Sequence, residues 1–85
     1  MKVSVKLVCM SVEKGKDAFD VELPDTAAID DLLNKLCAET SGDLNKELSD
    51  RKHMSVLVNE QLHLDHDFEL HDGDAVKIFR VFVAG

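Results

Sequence analysis

The stretch of sequence that decides the fold is HDGDAVKIFRVFVAG, residues 71–85. Asp72-Gly73 predicts a tight turn, and the run AVKIFRVFV that follows is rich in Val, Ile and Phe, as buried strands are. Because this run is almost continuously hydrophobic, it predicts a strand at the centre of a sheet, paired with the first strand of the chain. After it the sequence offers only Ala84-Gly85, a pair with almost no side-chain bulk.

Two stretches near the N-terminus predict a β-hairpin, which would supply that first strand. KVSVKLVC and FDVEL both alternate between apolar and polar residues, and the segment between them carries Gly15 and is typical of a turn. The residues expected to face the core are Val3, Val5, Leu7, Cys9, Phe19, Val21 and Leu23.

The segment TAAIDDLLNKLCAET, residues 26–40, predicts the main helix. Pro24 ends the preceding strand, Asp25 or Thr26 is expected to cap the helix, and the helix is expected to end before Gly42. The apolar residues that recur at helical spacing are Ile29, Leu32, Leu33, Leu36 and Cys37.

The middle of the chain predicts three shorter elements. DLNKELSDR predicts a short helix or a structured loop, MSVLVN predicts a third strand, and Asn59-Glu60 predicts a turn into a short fourth strand at 61–64. A loop then leads to the last strand. The residues expected to be buried from this part are Met54, Val56, Val58, Phe68 and Leu70.

The order β-β-α-β-β-β predicts an α+β fold with a mixed sheet of four to five strands, covered on one face by one main helix. We expect one domain over residues 1–85, because a chain of this length supports a single core. Its composition, 45% hydrophobic and 32% charged, is that of a folded domain.

Charge and hydropathy limit the classes of partner. A net charge of −7 argues against nucleic acid, because phosphate backbones require clustered Lys and Arg. The charge is explained by solubility or by a partner with a basic face. The sequence shows neither an apolar stretch of membrane-spanning length nor an export signal, so we expect a cytoplasmic protein without a membrane partner.

The side chains that could carry chemistry form no recognised catalytic or metal site. Cys9 and Cys37 lack CxxC spacing, and both are expected to be reduced and buried. His63, His66 and His71 lie close in sequence without a zinc-binding spacing, so we expect surface loop residues and no metal. Without a nucleophile motif or a phosphate-binding glycine loop, the chain is predicted not to be an enzyme and to bind no cofactor of its own.

The element order resembles the β-grasp, or ubiquitin-like, fold, and the sequence resembles the ThiS/MoaD family of small sulfur carriers. One part of the resemblance is VLVN, which ends the third strand at Asn59. The other is LHDGDAV, residues 70–76, which follows the family's pattern of a leucine, two variable positions, Gly-Asp, one variable position and Val. The tail Val83-Ala84-Gly85 then follows the last strand, so the resemblance covers essentially the whole chain.

This resemblance implies a function for the end of the sequence. In the family the C-terminal carboxylate, here that of Gly85, is adenylated by an E1-like partner enzyme of the ThiF/MoeB type, which uses ATP. It then becomes a thiocarboxylate, whose sulfur passes to a synthase subunit in molybdopterin or thiamine biosynthesis. Val83, Ala84 and Gly85 are expected to form a flexible tail, because a thin and mobile end is what can thread into a partner.

The tail departs from the family at one position. The family ends in Gly-Gly and this sequence in Ala84-Gly85, so either alanine replaces the penultimate glycine or one further residue follows. Because a methyl group can obstruct a narrow adenylation channel, Ala84 keeps a second hypothesis open. In that hypothesis the chain is a β-grasp binding module or a ubiquitin-like protein modifier.

Strand alternation also predicts a partner-binding face. If Val76 and Ile78 face the helix, the residues between and after them face away from it, next to the outward residue of the third strand. A register slip of one residue would instead send Phe79 into the core. The residues expected to bind the partner are Leu57, Lys77, Phe79 and Val81, rimmed by Lys6.

Overall fold

The computed structural model describes residues 1–81 as a five-stranded mixed sheet with two α-helices. The elements in chain order are β1 Lys2–Val8, β2 Ala18–Glu22, α1 Ile29–Glu39, α2 Gly42–Ser49, a 3-10 turn Arg51–His53, β3 Met54–Val58, β4 Gln61–His63 and β5 Ala75–Arg80. The predicted element order is therefore confirmed, and DLNKELSDR is resolved as a helix. The part of the last predicted strand beyond Val81 lies outside the described residues.

The strand order is β2-β1-β5-β3-β4, so the last strand occupies the centre, as its continuous hydrophobicity predicted. β5 runs parallel to β1, with Val5 beside Val76 and Val8 beside Phe79. It runs antiparallel to β3, where Val56 lies beside Ile78. The N-terminal hairpin and the β3–β4 hairpin complete the two edges.

The core lies between one face of this sheet and the two helices. From α1 the residues at helical spacing, Ile29 to Leu36, are buried, and α2 contributes Leu48. Leu70 is fully buried, as predicted, whereas Phe68 is half-buried and packs against the core. Within residues 1–81, neither helix has the length and apolar character needed to cross a bilayer.

Two local predictions were wrong. Cys9 is exposed and has a φ of 59°, because β1 ends at Val8 and the chain turns out of the sheet there; Cys37 is only half-buried. The N-cap of α1 is Ala28, not Asp25 or Thr26. Its free N–H is satisfied from inside the helix, where Asp31 Oδ2 accepts it at 2.8 Å.

Candidate functional site

The predicted partner-binding residues share the sheet face that points away from the helices. Val76 and Ile78 are buried at 1% and 0% exposure, and this leaves Lys77 and Phe79 on the opposite face. Leu57 lies on the same face of β3, directly beside Lys77. The register-slip alternative for Phe79 is therefore wrong. Val81, one residue beyond β5, is 40% exposed.

Two residues that the sequence reasoning missed extend this apolar surface. Val8 pairs with Phe79 across β1 and β5, and Leu62 pairs with Leu57 across β3 and β4. Leu62 is 55% exposed. Alternation in β1 and pairing across the Asn59-Glu60 turn were the signals that point to them. We call this surface the outer apolar strip; its residues are Val8, Leu57, Leu62, Phe79 and Val81.

Two lysines border the strip in the centre of the sheet. Lys6 and Lys77 lie beside each other in β1 and β5. Lys77 Nζ is 2.7 Å from Glu60 Oε1, and Lys6 Nζ is 4.0 Å from Asp17 Oδ2. Next to them the small side chains of β1, β2 and β5 leave a shallow hollow of about 440 Å³. The strip is thus an apolar surface with two lysine–carboxylate pairs and a depression at one side, which suits a complementary protein surface.

A second cluster lies where β5 ends. Arg80 shares the helix-facing side with Ile78, and its Nη1 is 2.8 Å from Glu47 Oε2 on α2. Glu47 is 8% exposed, the one charged side chain buried among residues 1–81. It also accepts hydrogen bonds from the N–H and the hydroxyl of Ser11, at 2.7 and 2.8 Å. One carboxylate therefore joins α2, the loop after β1 and the end of the central strand.

The ionisation of this cluster follows from its contacts. Burial acts to raise the pKa of Glu47, but the hydrogen bonds from Ser11 and the charge of Arg80 outweigh it and hold the pKa below its ordinary value of 4.5. Close by, the side-chain hydrogen bond with His53 lowers the pKa of Asp50. Both carboxylates are ionised at neutral pH. Sequence reasoning missed Glu47, although its position between Leu44 and Leu48 places it on the inner side of α2.

The motif that carried the family resemblance lies at the opposite end of the sheet. Asn59 accepts the Ala75 N–H at 3.0 Å and donates to Asp74 Oδ1 at 2.9 Å. Asp72 Oδ1 accepts the Lys2 N–H at 2.7 Å, and Gly73, with a φ of 85°, donates to Lys2 O. These contacts join the end of β3 to the starts of β1 and β5, so the motif fixes the register of the central strands.

The remaining predicted residues divide into two groups. Val83, Ala84 and Gly85 lie outside the described residues, 1–81. Two histidines have side-chain partners: His63 stacks on Phe68 with ring centroids 3.9 Å apart, and His53 contacts Asp50. In the part of the chain that the structure describes, no three His, Cys, Asp or Glu residues are grouped to hold a metal ion.

Fold and site together define a small ubiquitin-like domain whose central strand leads from the sheet beside an exposed apolar face. Comparison with solved structures confirms the β-grasp prediction. A Pyrococcus furiosus protein described as molybdopterin converting factor subunit 1 is 25% identical, with a TM-score of 0.69 over 96% of this chain and 99% of its own. SAMP1 from Haloferax volcanii is 22% identical, with a TM-score of 0.70 and full coverage of both chains. One chain in the complex of subunits 1 and 2 of molybdopterin-converting factor from Helicobacter pylori is 18% identical, with a TM-score of 0.68 and full coverage of both chains.

The family assignment comes from the sequence. The ThiS family model matches residues 11–85, and the chain therefore belongs to the ThiS family. A search of curated protein sequences gives no significant match. Family membership supports the role of a sulfur carrier, a small protein that presents a group to other enzymes.

Proposed function

We propose that the chain carries sulfur as a thiocarboxylate on Gly85. In the first step an E1-like enzyme of the ThiF/MoeB type binds ATP, and a carboxylate oxygen of Gly85 attacks the α-phosphate while pyrophosphate leaves. In the second step a sulfur nucleophile at the sulfide oxidation level attacks the acyl carbon, the bond to AMP breaks, and a C–S bond forms. ATP and the catalytic groups belong to the partner, and this chain supplies the reacting carboxylate.

The observation that carries the proposal is the family match reaching residue 85, combined with a central strand β5 that ends at Arg80, five residues earlier in the sequence. β5 pairs with strands on both sides, so its end is fixed relative to the domain. Ala84 and Gly85, which come within four residues of Val81, have the smallest side chains available. A carboxylate can enter a narrow channel when the residues that carry it have small side chains and the domain behind them is rigid.

The outer apolar strip is the surface on which we propose that partners bind. Apolar surface is exposed on β3 and near the end of β5 by Leu57, Phe79 and Val81. The charged side chain of Lys77 lies beside them. A domain docked there would hold its active site near the end of β5. The first such partner is the adenylating enzyme. The second is a sulfur-accepting synthase subunit of a molybdopterin or thiamine type pathway, consistent with the Helicobacter pylori complex of subunits 1 and 2.

Intact-protein mass spectrometry tests this function. The chain purified from its own cells is weighed before and after incubation with the adenylating enzyme, ATP and a sulfur donor. We expect an exchange of oxygen for sulfur at the last residue, and the native mass shows whether a residue follows Gly85. Deletion of Gly85, or extension by one residue, should abolish the exchange. Absence of both the AMP adduct and the sulfur gain, with an enzyme active on another carrier, would contradict the proposal.

Ala84 favours a second candidate, a binding module or a protein modifier without sulfur chemistry. If Gly85 is the last residue, the methyl group of Ala84 stands where the family has its penultimate glycine. The Ala84→Gly variant separates the candidates. A carrier hindered by the methyl group should be adenylated faster when residue 84 is glycine. A binding module should retain its affinity for the partner even when Gly85 is deleted. A protein modifier should form an isopeptide-linked product with a lysine-containing protein.

A further inference from the structure

The end of the central strand is held differently from the rest of it. β1 pairs with β5 only as far as Val8 beside Phe79, because the chain leaves the sheet at Cys9. On the other side Arg80 still pairs with Met54, and the Val81 N–H donates to the His53 carbonyl at 2.7 Å. The last two described residues of the chain thus lie against β3 and its preceding turn, without the β1 neighbour.

Glu47 on α2 holds the side chain of Arg80 at this end of β5. Its carboxylate contacts Arg80 Nη1 at 2.8 Å from the helix layer and holds Ser11 by two hydrogen bonds. Ser11 belongs to the segment that has turned away from the sheet. The same carboxylate therefore connects the departing strand, the helix layer and the end of β5.

The cost of burying this carboxylate indicates a specific use. Apolar residues of similar volume often replace buried ion pairs without loss of stability. The neighbouring positions of α2 that face inward are leucines, Leu44 and Leu48. Glu47 is a carboxylate at 8% exposure that accepts from three donors, in place of a leucine. Because such hydrogen bonds are directional, they fix the positions of the donor groups as well as burying them.

We propose that Glu47 is a positioning residue for the group transfer at Gly85, acting through Arg80. By fixing Arg80 it sets the point and direction in which the chain leaves the domain. Four residues reach at most about 14 Å when fully extended, so the position of Val81 limits where Gly85 can be presented to a partner. Reaction rates fall steeply when reacting atoms are misplaced by about 1 Å. This inference rests on the proposed function, since it assigns a role in the same reaction.

The variants Glu47→Gln and Arg80→Met test the inference in the full chain with the adenylating enzyme and ATP. Each removes the ion pair while keeping a side chain of similar length. We expect kcat for AMP formation to fall about fivefold while KM stays within about twofold, because the residues of the outer apolar strip other than Val81 keep their positions. Arg80→Lys, which keeps the charge, should recover part of kcat. Glu39→Gln, which breaks the exposed Lys35–Glu39 pair on α1, is the matched control and should behave as wild type.

Amide hydrogen exchange gives a readout that does not depend on the enzyme. In both variants the Val81 amide should exchange about tenfold faster, while the amides of Val5 and Ile78 in the core keep their rates. Unchanged Val81 exchange, unchanged kcat, or equal acceleration of all amides would each overturn the inference. Failure of the proposed function is distinguishable, because then the wild-type chain itself takes up no AMP.

Discussion

Asn59 and Asp74, fifteen residues apart in sequence, form a side-chain hydrogen bond of 2.9 Å that joins the end of β3 to the start of β5. Asn59 has a φ of 51°, in the left-handed region that asparagine tolerates better than most residues. Its other amide atom accepts the Ala75 N–H, and Asp74 Oδ2 accepts the His71 N–H. The motif residues of the ThiS family are therefore structural in this chain, and they lie at the end of β5 opposite to Arg80.

Substitution of Asn59 should lower stability and spare the chemistry. Asn59→Gly keeps the backbone conformation and loses two hydrogen bonds, so we expect the free energy of unfolding to fall by about 1–2 kcal/mol. Asn59→Ala also places a Cβ in the left-handed conformation and should cost about 1 kcal/mol more. Urea denaturation at neutral pH measures both, and a Gly variant as stable as wild type would show that the side chain contributes nothing.

Phe79→Ala should weaken partner binding more than it weakens the fold. Phe79 is half-buried on the outer face, so its truncation leaves no closed cavity, and we expect a stability loss below about 2 kcal/mol, less than the usual 3–5 for a core phenylalanine. Ile78→Ala, at the adjacent and fully buried position, is the control and should lose about 2–5 kcal/mol. Calorimetric titration with the adenylating enzyme, paired with urea denaturation, separates the two effects. Wild-type affinity for Phe79→Ala would remove this residue from the binding face.

The stability contributed by Glu47 should depend on pH below about 4.5. Because its pKa is lower in the folded state than the ordinary 4.5, the carboxylate stabilises the fold fully above that value and loses this contribution as pH falls through the folded pKa. The difference in unfolding free energy between wild type and Glu47→Gln should be constant from about pH 5.5 to 8 and shrink in more acidic solution. Thermal or urea unfolding across pH measures it. A difference that grows with acidity would mean that the folded pKa is raised.

The fold was largely accessible from the sequence because its signals are periodic and redundant. The alternation in β1, the helical spacing from Ile29 to Leu36 and the continuous run in β5 each predict the same buried face. The errors fell where periodicity ends. Cys9 continues the alternation of β1 by sequence, but the strand stops at Val8, and the loop that follows is held by the tertiary hydrogen bond from Ser11 to Glu47.

The candidate site was accessible only in part. Alternation along each strand placed Leu57 and Phe79 on the outer face, because successive side chains of a strand point to opposite faces of the sheet. Val8 and Leu62 follow from the alternation of β1 and from pairing across the Asn59-Glu60 turn, but only when those signals are combined with the neighbours of β5 and β3 in the sheet. The ion pair between Glu47 and Arg80 spans 33 residues, and a glutamate in a short polar helix is more often solvent-exposed than buried.

Cys9 should react with alkylating reagents much faster than Cys37. The Cys9 side chain is exposed, whereas Cys37 is half-buried and its Sγ lies 3.6 Å from Ser49 Oγ. Thiol reactivity follows access to the sulfur, so iodoacetamide at neutral pH should modify Cys9 at least about tenfold faster in a mass-spectrometric time course. Cys9→Ser serves as the control and should leave one slow site. The comparison matters for the sulfur assay, because iodoacetamide also alkylates a thiocarboxylate. In the Cys9→Ser chain the fast cysteine is absent, so a fast phase there reports the thiocarboxylate alone. Equal rates at the two cysteines would mean that the chain around Cys9 is packed differently from the structure described.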